Sequence, residues 1–407
     1  MEYLNYKIKQ IIPLLKSVDN KAYIFSRFIS VLIKPLILLI CLIFGFKEVG
    51  TVLAMIFLVS SVNMIFCSIP IFRNYFINYS NISSLKKKYF KNRYKSEIII
   101  LFLISLIFII PINQFFENNL EIFICTILIF SIDKIYDEVQ RLLILKKNFS
   151  GWSTITNLKN LTLIIFLFNP LININIIFLG IIYFFINFFK LYSYIKLSFE
   201  FNLIKEIKKF SFSIWNNKKI YMMTYFLLFF SMGDKILIGK TFKENLTEYT
   251  FLSNILSVPL LFILFFYISK YKTEFVKNII SFNNVIFSKR FNYLLISIFF
   301  LVFVFVAFFY NLNLSNFSIK SLICLSLIYV IKSYSMILDE IIYWKSFYKD
   351  FLFFEFSFFL LFIVIIFLTM YSSFTIDTFL LILLILFMFK FIFKMIILTK
   401  KSKFNSK

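Results

Sequence analysis

Apolar stretches of membrane length follow one another almost without a break along this chain, and lysine and arginine crowd into every second gap between them. A bilayer core about 30 Å thick needs roughly 20 apolar residues of helix to cross it. Twelve stretches meet that need, at about 22–46, 49–72, 97–115, 120–145, 154–169, 173–191, 212–238, 249–269, 291–310, 319–343, 351–371 and 374–398. Spanning segments must satisfy their own backbone hydrogen bonds, so the expected fold class is an all-α polytopic membrane protein.

The charges sort by gap. One set of gaps holds Arg73, Lys86, Lys87, Lys88, Lys91, Arg93 and Lys95, then Lys146 and Lys147, then Lys196, Lys205, Lys208 and Lys209. Further along, the same set holds Lys270, Lys272, Lys277, Lys289 and Arg290, then Lys345 and Lys349, and the tail adds Lys400, Lys401, Lys403 and Lys407. The intervening gaps carry little charge. Cytoplasmic loops hold the excess of Lys and Arg, so both termini are expected on the cytoplasmic side. The gaps assigned outward are short, the longest being near 239–248. They leave no room for an outer catalytic domain.

Composition narrows the function classes. Of 407 residues 61% are hydrophobic, and Lys+Arg number 44 against 20 Asp+Glu. In a soluble chain that surplus would suggest nucleic acid. Here the basic residues sit in short gaps between apolar spans, so no nucleic-acid partner is expected. There is no histidine, which excludes imidazole proton relays, His metal sites and Ser-His triads. Cys41, Cys67, Cys125 and Cys324 each fall inside an apolar span and read as small buried hydrophobes. Neither a Walker loop, a CxxC pair nor an HExxH helix occurs, and the chain has only six Gly. No metal or cofactor is expected, and an ion or proton gradient or the membrane potential is left as the energy source. The 62 Phe fit the bias of an AT-rich genome and weaken any argument from aromatic stripes. The first apolar stretch is too long for a cleaved signal and reads as a retained anchor.

A repeat runs through the chain. Ile135-Tyr136-Asp137-Glu138 followed by Lys147 and Phe149 is echoed by Ile337-Leu338-Asp339-Glu340 followed by Lys349 and Phe351, at an offset of 202 (339 − 137). Glu48 and Glu248 open the second and eighth spans. Two parallel six-span halves are expected, 1–209 and 210–407, with a substrate cavity between them.

Ionisable residues inside a span are costly and mark candidate sites. Arg27 and Lys34 lie seven apart on one face of the first span, and Lys218 and Lys219 lie in the seventh, its repeat partner. They read either as a cationic lining for an anionic substrate or as side chains that snorkel to the interface. The fourth span carries Asp133, Lys134, Asp137, Glu138 and Arg141. Asp137–Arg141 and Lys134–Glu138 are spaced to pair within the helix. The alternative is a gate in which these charges pair across the halves with Lys332, Asp339 or Glu340. Glu355 in the eleventh span has no partner in its own helix and is a candidate to carry a coupling proton, or to be solvated at the cytoplasmic interface. Lys390 and Lys394 of the last span are expected to snorkel, and Asp234 to sit at the outer membrane edge.

The run Ser231-Met232-Gly233-Asp234-Lys235-Ile236-Leu237-Ile238-Gly239-Lys240, followed by Thr247-Glu248-Tyr249-Thr250, resembles the seventh-to-eighth span junction of the polysaccharide (O-antigen, Wzx-type) flippases. These belong to the multidrug/oligosaccharidyl-lipid/polysaccharide exporter superfamily. Lys47-Glu48-Val49-Gly50 resembles the matching junction of the first half. The chain departs from the pattern where Glu248 replaces a Gly before Tyr249 and where no Tyr follows Gly50. The resemblance implies two six-helix lobes around a cationic cavity, lined here by Arg27, Lys34, Lys218 and Lys219. It further implies a non-enzymatic flippase that moves undecaprenyl-pyrophosphate-linked oligosaccharide across the bacterial inner membrane by alternating access. A polysaccharide polymerase and a chain-length regulator would be its partners, with the lipid bilayer itself. The rival expectations are a small-molecule exporter of the same superfamily, a membrane-embedded polymerase or glycosyltransferase, and a scaffold of a glycan assembly complex.

Overall fold

The structure, a computed structural model, describes residues 18–67, 100, 102–115, 120–145, 149–172, 174–192, 232–259, 289–311, 317–344, 348–371 and 374–404, with 218–219, 222–223, 225–226 and 229–230. Among the described residues there is no strand, and helix predominates. In chain order they are α1 (Val18–Ile43), α2 (Lys47–Cys67), α3 (Phe102–Phe115), α4 (Leu120–Leu145), α5 (Phe149–Leu163) and α6 (Ile176–Tyr192). There follow α7 (232–241), α8 (Leu246–Leu256), α9 (Lys289–Asn311), α10 (Ile319–Trp344), α11 (Tyr348–Tyr371) and α12 (Ile376–Phe404).

Among the described residues three stretches are long and apolar enough to cross a membrane: Ile319–Asp339 of α10, Phe351–Thr369 of α11 and Ile376–Thr399 of α12. Shorter apolar helices occupy Leu32–Ile43, Phe102–Phe115, Ile176–Leu191 and Ile296–Phe308. The outward faces are as apolar as the inward ones. Phe353 is 79% exposed, and Phe189, Phe300 and Leu301 are likewise open. In water such apolar surface would drive association. Against lipid tails it carries no penalty, so the helices fit a membrane-embedded protein.

The chain divides into two compact units, Met1–Ile71 with Tyr75–Ile207, and Phe72–Asn74 with Lys208–Lys407. In the first unit α1 packs on α5, and α4 packs on α2 and α6. The turn from α1 to α2 closes at Gly45, whose φ of +72° puts it in the left-handed region. There the Phe46 N–H donates to the Cys41 carbonyl (2.8 Å) and the Gly45 N–H to that of Leu42 (3.2 Å), a Schellman cap. Gly180 lets α6 come close to α4; a Cβ there would stand 3.3 Å from the Cys125 sulfur. A buried polar network ties three helices of this unit. The Tyr136 hydroxyl donates to Asn187 Oδ1 (2.7 Å), and Asn187 Nδ2 donates to Thr162 Oγ1 (2.9 Å).

The chain breaks between α5 and α6 near Pro170, where the fifth and sixth spans were expected to part. A short 3₁₀ segment, Ile164–Leu167, and a helical turn, Phe168–Ile172, make the connection. Asn169 Nδ2 then donates to the Ile174 carbonyl (2.7 Å), and Asn175 Oδ1 receives the Ile177 N–H (2.7 Å) at the start of α6. In the second unit α10 packs along α12 and meets α11. Gly233 sits where α7 meets α11, against the ring of Phe362. Cys41 and Cys125 are buried and Cys324 half-buried, all as free thiols, while the Cys67 side chain lies outside the described residues.

Candidate functional site

Among the described residues, ion pairs between helices form three clusters, each confined to one unit. In the first unit Asp133 of α4 is buried and takes two lysines. Lys159 Nζ of α5 is 2.7 Å from Oδ1, and Lys34 Nζ of α1 is 3.6 Å from Oδ2. The Tyr183 hydroxyl of α6 donates to Oδ1 at 3.4 Å. Each ammonium also faces a ring: Lys34 lies 5.0 Å from the centroid of Phe57, and Lys159 lies 5.8 Å from that of Tyr136. Two cations thus share one carboxylate, and the cluster holds one surplus positive charge.

The second unit carries the same kind of pair with the signs exchanged. Asp234 of α7 is fully buried, and its Oδ2 accepts from Lys332 of α10 (2.9 Å), Tyr249 of α8 (2.7 Å) and Tyr329 of α10 (3.5 Å). Lys34 and Asp234 are 200 positions apart (234 − 34), and Asp133 and Lys332 are 199 apart (332 − 133). α1 and α4 of the first unit and α7 and α10 of the second are therefore joined at corresponding places, lysine-to-aspartate in one and aspartate-to-lysine in the other. The difference is Lys159: the second pair has one cation for one anion.

The third cluster joins α10, α11 and α12. Glu355 of α11 is fully buried and paired with Lys390 (Nζ to Oε2, 2.6 Å) and Lys394 (Nζ to Oε1, 2.9 Å), both of α12. Lys394 also binds Asp339 of α10. Lys390 stands 3.5 Å over the ring of Phe230. Two acids meet two lysines, so this cluster is neutral. Removing two charges from water costs several kcal/mol each, and only close, paired geometry repays that.

This placement revises several expectations. Glu355 is neither partnerless nor solvated at an interface: its partners are one helix away in α12, beyond the reach of an argument from its own helix. Lys390 and Lys394 do not snorkel; both are buried. Asp234 does not cap the end of its helix: α7 continues to Thr241, and the carboxylate is buried against α8 and α10. The gate was expected to pair charges of the fourth span (Asp133, Lys134, Asp137, Glu138, Arg141) with Lys332, Asp339 or Glu340 across the halves. Asp133 and Asp339 instead take their partners inside their own units, and Lys332 binds Asp234.

Of the expected cationic lining, Lys34 joins a buried cluster, while Lys218 and Lys219 are exposed helical residues. Arg27 lies in α1, one helical face with Lys34, but its side chain lies outside the described residues, as do those of Glu138, Arg141 and Glu340. The pairs Asp137–Arg141 and Lys134–Glu138 rest on those side chains. Asp137 is half-buried on α4 and Lys134 buried. Among the described residues no group of His, Cys, Asp and Glu could hold a metal ion. Lys159, which sequence reasoning passed over, had a signal: it stands inside the fifth apolar span.

No protein-family model matches the chain, and neither a curated protein nor a solved structure matches it.

Proposed function

We propose that the chain is a flippase that carries an anionic, lipid-linked oligosaccharide across the bacterial inner membrane by alternating access of two six-span halves. The observation that carries this reading is the surplus of positive charge in the first unit, two half-buried lysines on one buried aspartate. A cargo joined to its lipid through pyrophosphate brings concentrated negative charge, and cations in a low-dielectric site bind it strongly. The sugar crosses a polar path while the lipid tail stays in the bilayer. Twelve spans with both termini cytoplasmic, read from the basic gaps, would supply the two halves. The buried pairs within each unit hold it as a rigid body, which is what rocking of two halves requires. In this reading the chain is not an enzyme and draws on an ion or proton gradient or the membrane potential.

Deletion of the gene is the test. Lipid-linked repeat units should accumulate on the cytoplasmic leaflet, with surface glycan lost. Lys34→Ala and Arg27→Ala, at unchanged membrane levels, should each slow export. Normal glycan export in the deletion strain would end the reading. Repeat units delivered to the outer leaflet but left unpolymerised would favour a polymerase instead.

A further inference from the structure

The ion pairs Lys34–Asp133 and Asp234–Lys332 do something that stability does not account for. A buried pair is close to neutral against apolar residues of the same volume, so stability gives no reason to keep one in each unit. What such a pair does well is discriminate, because a mismatched partner costs far more than the right one gains. Discrimination has a use here. α4 and α10 are each 26 residues long. Asp133 is the fourteenth residue of α4 (133 − 119) and Lys332 the fourteenth of α10 (332 − 318). Both charges therefore stand about 20 Å from either end of their helix, at one depth. In the twelve-span reading successive spans alternate in direction, so α1 runs antiparallel to α4 and equally to α10. Length, depth and direction do not tell α1 which of the two to take.

Charge does. α1 on α4 sets Lys34 near Asp133, but α1 on α10 would leave Lys34 and Lys332 facing each other with no carboxylate. α7 on α10 sets Asp234 beside Lys332, but α7 on α4 would crowd two carboxylates onto Lys159 alone. Both exchanges bring like charges together in a low-dielectric interior, where repulsion is strong. With the same order of signs in the two pairs, both exchanges would be attractive instead. The remaining combinations, α1 with α7 and α4 with α10, join opposite charges, but those helices run parallel and not opposed. We propose that the exchanged signs are an assembly code, by which α1 accepts α4 and refuses α10, and α7 accepts α10 and refuses α4, within one chain and between copies of it. The code rests on the twelve-span reading and not on any cargo, so the flippase reading can fail without it.

The test uses the full chain, expressed as two differently tagged copies in one cell and extracted in mild detergent. Lys34→Asp with Asp133→Lys inverts the first pair, and Asp234→Lys with Lys332→Asp inverts the second. Either inversion keeps an acid against a lysine in its own unit and leaves the net charge at +24, but it gives both units the same order of signs. The fourfold variant inverts both pairs and restores the opposition. Size exclusion reads the share of expressed protein in the wild-type peak, and capture on one tag reads exchange with the other copy. Each single inversion should still be made, with about threefold more of it in larger species than for wild type. The fourfold variant should return to within about twofold of wild type. Local costs, such as the lost bonds from Tyr183 and Tyr249, fall on the fourfold variant in full, so only the restored rule of signs can rescue it. Capture of the second tag above the wild-type level assigns the exchange to separate copies, and its absence assigns it to helices of one chain; either supports the proposal. A wild-type profile from either single inversion overturns it. So does a fourfold variant no better than the worse single inversion, including one that is not made at all.

Discussion

Glu355→Gln tests the energetics of the neutral cluster. The glutamate is buried and holds Lys390 at 2.6 Å and Lys394 at 2.9 Å. At an effective dielectric near 20, each contact is worth about 6 kcal/mol before desolvation, and desolvation cancels most of that. What matters is the remainder once the carboxylate is neutral. Lys394 keeps Asp339, but Lys390 keeps only the face of Phe230. Removing one partner of a buried pair costs about 3–5 kcal/mol, and the cation–π contact, present in both proteins, does not change that difference. The net expectation is a loss of about 3–5 kcal/mol, roughly a hundredfold to several thousandfold in the folding equilibrium. Glu355→Gln combined with Lys390→Met leaves the Lys394–Asp339 pair intact and no orphan charge. It should recover to within about 1 kcal/mol of wild type, since apolar replacement of a buried pair is close to neutral. Reversible unfolding of the full chain in mixed micelles by added denaturing detergent measures all three. The reasoning fails if Glu355→Gln is as stable as wild type, or if the double variant is no better than the single one.

Other outcomes follow from the same geometry. A Cβ on Gly233 would meet the Phe362 ring at 2.5 Å, so Gly233→Ala should cost about 1–3 kcal/mol in the same assay, and Phe362→Leu should relieve it. Gly45→Ala puts a side chain at φ +72°, with nothing within 4 Å to clash, so the cost is backbone strain alone, about 1 kcal/mol in the same assay. Asp133→Lys would leave three lysines together and should abolish stable protein. Adding Lys34→Asp to it restores one carboxylate between two lysines and should recover expression, read by fluorescence-detected size exclusion.

How much of this was legible in the sequence differs between fold and site. Helix positions follow from apolar length alone, because a bilayer-length run leaves little choice of structure. The fourth span, expected at about 120–145, is α4 at Leu120–Leu145, and the tenth, expected at about 319–343, is α10 at Ile319–Trp344. The first reaches further back: Val18 is already helical in α1, because polar residues such as Asp19 and Asn20 can belong to a helix without lengthening its apolar run. Partner choice was not legible. The i, i+4 rule reads along one helix, so it suggested pairs inside the fourth span and left Glu355 alone. The partners of Asp133, Asp234 and Glu355 all come from other helices, brought near by packing. The repeat offered the missing signal. At an offset near 200, Lys34 aligns with Asp234 and Asp133 with Lys332, a reciprocal exchange of sign that only a contact explains.

That exchange bears on how the chain is made. Lys34 leaves the ribosome 99 residues before Asp133 (133 − 34). At 5–20 residues per second the lysine waits about 5–20 s for its counter-charge. It must spend that interval at the insertion channel or reaching toward the headgroups. In the second half the order is reversed, and an aspartate waits for Lys332, 98 residues later (332 − 234). An aspartate cannot reach as far, but it can take up a proton and enter the bilayer uncharged. Each half completes its own pair before depending on the other, so the N-terminal half can settle in the membrane while the C-terminal half is still being synthesised.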